Sequence, residues 1–193
     1  KKALPGFETQ TAMRERFGTQ TNFHLQGATG GIEAALVVSE EGKVLEMKQA
    51  MEVKSVPAPV SEAAAKAVAG LMVDKAMKGT KANQPFFELS GRANGKSFTV
   101  VLTPDGRLLE IDETIEVKDV PKVVTDAAAK AVPGFVADEA TKMTQTTAVS
   151  YLLVGKAEGR ACQIKLTADG RILDTVRGGG DWGTRTGKPG KRN

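Results

Sequence analysis

Between Lys96 and Thr103 the chain reads KSFTVVLT, and Phe98, Val100 and Leu102 alternate with Thr99 and Val101. A period of two is that of a strand with one buried face. The same inward set reads Ala34, Leu36, Val38 near the start of the chain and Cys162, Ile164, Leu166 near its end. A further strand is predicted over 107–117, with Leu109, Ile111, Ile115 and Val117 in phase. Another covers PFFELSG at 85–91, equivalent to TNFHLQG at 21–27 and VSYLLVG at 149–155. A weaker one covers roughly 71–79, matched by Phe7, Thr9, Thr11 and Met13.

The period changes in APVSEAAAKAVAG (58–70) and KVVTDAAAKAVPG (122–134). Val60, Ala64, Ala67 and Val68, and likewise Val124, Ala128, Ala131 and Val132, fall on one narrow helical stripe. The AAAKA cores favour helix. Ser55-Val56-Pro57 and Asp119-Val120-Pro121 fit helix starts. Gly70 and Gly134 fit left-handed stops. Glu41-Gly42, Asp105-Gly106 and Asp169-Gly170 are hairpin signals between the last two strands of each group.

These patterns recur at a fixed interval of 64 residues. Glycines 6, 70 and 134 keep it, as do 42, 106 and 170, then 27, 91 and 155, then 31, 95 and 159. Phe23, Phe87 and Tyr151 keep it too, with Leu25, Leu89 and Leu153, and Leu45, Leu109 and Leu173. Such periodicity predicts tandem units. The expected fold class is α+β: three tandem repeats, each a helix plus a four-stranded antiparallel sheet, with the helices packed on one face. The expected boundaries are 1–56 (repeat 1, helix truncated), 57–120 (repeat 2), 121–176 (repeat 3) and 177–193, a disordered basic Gly-rich tail. The recurring residues are glycines, apolar residues and turn formers, which encode backbone geometry rather than reactivity.

Composition changes this picture little. Five of the 27 basic residues and one of the 23 acidic ones lie in 177–193, so the rest of the chain carries no net charge. A nucleic-acid partner is therefore not expected, since the body has no basic surplus to neutralise phosphates. The apolar runs are too short for a transmembrane helix. The chain opens at Lys1 without a methionine, so a processed or trimmed product is expected and a removed leader stays open. A single cysteine, Cys162, excludes an internal disulfide and reads as a small core residue.

Catalytic sets are missing from the sequence. His24, the lone histidine, falls on a strand and has no second ligand type beside it for zinc. SGRANGKS (90–97) resembles a phosphate loop, but only three residues separate Gly91 from Gly95 and strands flank it on both sides. Glu110, Asp112, Glu113 and Glu116 give the 107–117 strand an acidic face, the pattern of a solvated strand that resists edge association. Phe86 is expected on the opposite face from the core, either as a binding contact or as packing between repeats. Phe86, Thr99, Val101, Glu110 and Asp112 are the candidate protein-binding face. Catalytic, cofactor and metal residues are expected to be none, and the chain is expected not to be an enzyme. The alternative is a small ligand or calcium held by Glu46, Glu110 and Asp174.

LLEIDETIEVKDVPKVVTDAAAKAVPGF (108–135) resembles the PepSY-like domains grouped with the β-lactamase-inhibitor-protein fold. The shared pattern is an acidic strand, a D-[LV]-P turn, an alanine- and lysine-rich helix and a P-G-aromatic stop. The hairpins ending in DGRLLE and DGRILD agree with it. The resemblance implies an α+β fold and a periplasmic or secreted protein. It also implies a non-catalytic module that binds a protein partner, such as a peptidase or enzyme inhibitor or regulator. It implies no catalytic residues.

Overall fold

The computed structural model describes residues 4–17 and 20–178. Twelve strands run antiparallel, and each is hydrogen-bonded to its neighbours in sequence, in the order β1 to β12. They are β1 (Phe7–Phe17), β2 (Gln20–Thr29), β3 (Ile32–Ser39), β4 (Val44–Met51), β5 (Met72–Lys81), β6 (Gln84–Ala93), β7 (Lys96–Leu102), β8 (Leu108–Ile115), β9 (Phe135–Gln145), β10 (Ala148–Ala157), β11 (Arg160–Thr167) and β12 (Ile172–Gly178). Among the described residues two α-helices accompany them, α1 (Ala58–Ala67) and α2 (Lys122–Ala131), each after a short 3-10 turn.

The fold is therefore sheet-dominated, a twelve-stranded antiparallel sheet with two short helices, which corrects the expected α+β fold of three tandem helix-plus-sheet repeats. The physical reason lies at the strand edges. A four-stranded sheet standing alone leaves two rows of unpaired N–H and C=O groups. Here β4 pairs with β5 from Glu46↔Lys81 to Met51↔Ala76, and β8 pairs with β9 from Glu110↔Gln145 to Ile115↔Ala140. The expected boundaries near 56 and 120 are thus bridged by ladders. Among the described residues no α-helix precedes β1, and Leu4–Gly6 lead into it. Of the expected 177–193 tail, Arg177 and Gly178 belong to β12 and pair with Cys162 and Ala161. Residues 179–193 lie outside the described residues.

The chain divides into two units, Lys1–Gly91 with Val100–Leu109, and Arg92–Thr99 with Glu110–Asn193. In the first, Val60, Ala64 and Val68 of α1 and its exit are buried, as are Ala76, Leu89, Val100 and Leu102. In the second, Val124, Ala128 and Val132 close over Ala140, Tyr151, Leu153, Cys162, Ile164 and Leu166. A ten-residue helix is too short to persist alone in water, so its stability comes from this apolar stripe. Burying each such Val or Leu contributes about 1.5–3 kcal/mol. The small Ala64 and Ala128 let each helix lie close to the strands, as the sequence predicts.

The helix starts differ from expectation. Ser55 and Asp119 sit in the 3-10 turns, and Pro57 and Pro121 occupy the N-cap positions without a side-chain cap. The Ser61 hydroxyl instead donates back to the Ala58 carbonyl at 3.0 Å.

A second packing device lies in the strands. The register slips between Val154 and Gly155 where β9 bulges. There a Cβ on Gly155 would stand 1.9 Å from the Val136 carbonyl oxygen. Gly27 and Gly91 meet Glu8 and Met72 in the same way, at 1.9 and 2.1 Å. Their recurrence at 64 residues thus follows from close backbone approach at a bulge.

Candidate protein-binding face

Directly opposed residues of antiparallel strands share a face. In the first unit Lys48 lies opposite Gly79, on the face away from Val100 and Leu102. The Lys48 ammonium donates to both carboxylate oxygens of Glu88 at 2.9 Å, with only about a fifth of each side chain exposed (20% and 18%). Around it Lys81 pairs with Glu46 at 3.2 Å and Lys75 with Glu33 at 2.7 Å. Met77, opposite Ala50, is buried within the same stretch. His24 lies half-buried on β2, opposite Met13 on one side and Val37 on the other.

Phe86, for which the sequence leaves both a binding contact and packing between repeats open, belongs here and packs within its own unit. It is buried, and its ring lies over Gly79, where an added Cβ would stand 2.8 Å from the ring. The absent side chain of Gly79 makes the space that the ring fills. A sequence signal for this exists: 64 residues on, Met143 stands at the glycine position and Ser150 at the phenylalanine position, and these two are directly paired. Phe over Gly in one place and Ser beside Met in the other conserve volume across the pair, which a close-packed layer requires. Val101, also of the first unit, is half-buried.

Thr99, Glu110 and Asp112 fall in the second unit. Thr99 and Asp112 are buried rather than exposed. Asp112 lies opposite Met143, which is itself buried yet stands outside the α2 cluster. Glu110 is half-buried and its carboxylate accepts a hydrogen bond from the Gln145 amide at 2.7 Å. Glu113, one residue out of phase, pairs with Lys96 at 2.6 Å, and this bond raises the lysine's pKa above its ordinary value. The expected solvated acidic strand is thus an engaged one: of its four carboxylates Glu110, Glu113 and, just beyond β8, Glu116 hold nitrogen donors, the last from Lys118 at 2.5 Å.

Each unit therefore carries, on the strands opposite its helix, buried and half-buried apolar and charged groups. Buried or half-buried polar groups with satisfied partners define a rigid surface suited to recognition. The ion set does not assemble. Among the described residues no group of three or more His, Cys, Asp or Glu side chains is placed to hold a metal ion. Glu46 is committed to Lys81 and Glu110 to Gln145. No helix among the described residues is long and apolar enough to cross a membrane.

No protein-family model matches the chain, and no curated protein matches it. Solved structures do. A BLIP-like protein of Bacteroides fragilis aligns over 70% of this chain and 94% of its own, with a TM-score of 0.52 and 13% identity. A candidate periplasmic protein of Bacteroides eggerthii aligns over 63% of this chain and 88% of its own, with a TM-score of 0.51 and 19% identity. A DUF2874 family protein of Bacteroides uniformis gives a TM-score of 0.51 at 16% identity, over 63% of this chain and 88% of its own. The likeness is one of fold, and it agrees with a BLIP-like arrangement of strands.

Proposed function

We propose that this chain is a non-catalytic, extracytoplasmic protein-binding module, of the inhibitor or regulator kind, that presents the strand face opposite its helices to a protein partner. The observation that carries the reading is the half-buried Lys48–Glu88 pair beside the ring of Phe86 on a strand face that carries no helix. A charge pair fixed in a partly apolar surface supplies both complementarity and a desolvated contact area. In the first unit Val101 and the Lys48–Glu88 pair are the groups a partner reaches, with Phe86 buried; in the second unit Glu110 is, with Thr99 and Asp112 buried. The BLIP-like neighbour favours an inhibitor-like role, and the periplasmic description of another neighbour favours export.

The test is site-specific photocrosslinking. A photoreactive residue at Val101 or at Glu110 is incubated with periplasmic and secreted extracts, and a control places it at Val123, exposed on α2. The expected result is one recurrent adduct from Val101 or Glu110 and none from Val123. Equal labelling from all three positions, or no adduct at all, overturns the reading. Nothing among the described residues favours the calcium alternative, and a melting temperature unchanged in millimolar calcium is expected.

A further inference from the structure

We propose that Asn94-Gly95, the tip of the β6–β7 hairpin, is a site of spontaneous covalent modification, where Asn94 loses its side-chain amide as ammonia and becomes aspartate or isoaspartate. The chain has asparagines at 22, 83, 94 and 193, and glycine follows Asn94 alone. The same turn recurs at Gly30-Gly31 and Glu158-Gly159. In chain order the φ values are +55° and +79°, +51° and +77°, and +52° and +75°. Left-handed values at both central residues mark the type I′ hairpin turn. Only the middle copy puts a side-chain amide beside a glycine nitrogen. Asn94 and Gly95 are both exposed, and an added Cβ on Gly95 would meet nothing within 4 Å. The equivalent turns close on Thr29↔Ile32 and Ala157↔Arg160, which leaves the two tip residues outside the ladder.

The reaction needs only water. The Gly95 nitrogen, having lost its proton, attacks Cγ of Asn94. The new N–Cγ bond closes a five-membered succinimide, the Cγ–Nδ2 bond breaks, and Nδ2 leaves with a proton as ammonia. Water then opens the ring. Cleavage at Cγ gives aspartate, and cleavage at the main-chain carbonyl gives isoaspartate, whose backbone runs through the former side chain. Closure takes Asn94 out of its left-handed conformation, so it proceeds from the opened tip. Exposed tip residues with few packed contacts open at the low-stability end of a fold. Four other sites on the chain show what is special here. Asn83 is exposed and left-handed too, φ +63°, but Gln84 follows it, and Asn22 is followed by Phe23. A side chain on the following residue crowds the attacking nitrogen, which glycine does not. Asp105-Gly106 and Asp169-Gly170 could cyclise by the same route with loss of water. There the carboxylate is bound by the Thr103 or Thr167 hydroxyl, and the glycine N–H donates to the carbonyl of that threonine at 2.9 or 3.0 Å. The new negative charge at position 94 arises two residues from Lys96, whose ammonium donates to Glu113 at 2.6 Å.

The experiment incubates the full folded chain at mildly alkaline pH and digests it with a protease that cuts after lysine. One product, residues 82–96, carries both Asn83 and Asn94. Mass spectrometry reads the exchange of NH2 for OH, and electron-transfer fragmentation locates it and separates aspartate from isoaspartate. The expected result is conversion at Asn94 at least about tenfold faster than at Asn83, because glycine leaves the attacking nitrogen uncrowded. Isoaspartate should be among the products, the rate should rise with pH, and Asp105 and Asp169 should isomerise more slowly than Asn94 reacts. A parallel incubation in denaturant gives the rate of the unfolded chain. The proposal falls if the folded chain keeps its Asn94 amide through a period in which the unfolded chain loses it, since the turn then protects the site. It falls equally if Asn83 reacts as fast, if aspartate forms without isoaspartate, which would mean direct hydrolysis, or if Asp105 and Asp169 isomerise as fast as Asn94 reacts.

Discussion

Leu25 and Leu153 stand 128 residues apart, two periods of the repeat, each on the second strand of its group and each opposite an alanine, yet they live in different surroundings. Leu153 lies under α2 and is 1% exposed, while Leu25 has strands on both sides, no α-helix of the described chain above it, and remains half-buried. The difference teaches that strand pairing and core formation are separable in this fold. Ladders close β1–β4 as they close β9–β12, and Ala34 and Leu36 are buried there, but Leu25 and Val38 stay half-buried where Leu153 and Leu166 under α2 are dry. The largest expected effect follows from this. Leu153→Ala should cost about 3 kcal/mol, because it removes transfer energy and leaves a cavity. Leu25→Ala should cost about 1 kcal/mol, because its side chain is already partly in water. Chemical denaturation of the two variants measures both, and equal losses would show that β1–β4 has cover as complete as that of β9–β12.

The turn glycines extend the comparison. Gly42 and Gly106 share a left-handed backbone, φ +81° and +84°, so alanine at either costs about 1 kcal/mol for that conformation. At Gly106 the new methyl also meets the backbone of α1 at Pro59 and the side chain of Ala63. Gly106→Ala should therefore cost about 2–4 kcal/mol in all, with the excess coming from displaced helix packing. Melting curves of Gly42→Ala and Gly106→Ala decide the matter, and matching shifts would mean that the helix contact contributes nothing.

Much of this was legible in the chain. The alternation in 96–103 and its equivalents located the strands and their buried faces, and Val60, Ala64 and Val68 located a helix stripe. The Glu/Asp-Gly pairs located three hairpins. What could not be read was how the groups join. Edge pairing between β4 and β5 depends on backbone groups, which every residue carries, so Glu46↔Lys81 leaves no compositional trace. The candidate face was half legible. Glu110, Val101 and the acidic strand lie where the period puts them. Burial of Phe86, Thr99 and Asp112 depends on neighbours from other strands. Of these only the Gly79–Phe86 and Met143–Ser150 exchange was visible in the letters, and only once the pairing is known.

Exchange with solvent gives a finer measure of the same contrast. Amides of β2 and β3, such as Leu25 and Leu36, open without lifting a helix. Those of Leu153 and Ile164 open only with the α2 cluster. Native-state hydrogen exchange should therefore be at least about tenfold faster for the first pair, because local stability follows packing density. Comparable protection in both places would show that the ladders, rather than the helices, set the opening energy.

The smallest expected effect concerns the turn carboxylates. The Thr103 hydroxyl bonds to Asp105, and the Thr167 hydroxyl to Asp169. Each bond, aided by the residue's own backbone N–H and by Arg107 or Arg171, holds the carboxyl below the ordinary aspartate value. Ser39 does the same for Glu41 in the turn with no helix over it. A lowered folded pKa means that the unfolded chain takes up protons first. The contribution is thus fully present above the unfolded value, ~3.9 for aspartate, and is lost as pH falls through the folded value. All three groups are exposed, so the effect is small and screened by salt. Asp105→Asn and Asp169→Asn should flatten the acid limb of the melting-temperature profile slightly, and Glu41→Gln should do so to a similar degree. The carboxylate network is local to each turn and owes nothing to the helix above it. A clearly larger change in the two aspartate variants than in Glu41→Gln would instead tie the turn charges to α1 and α2.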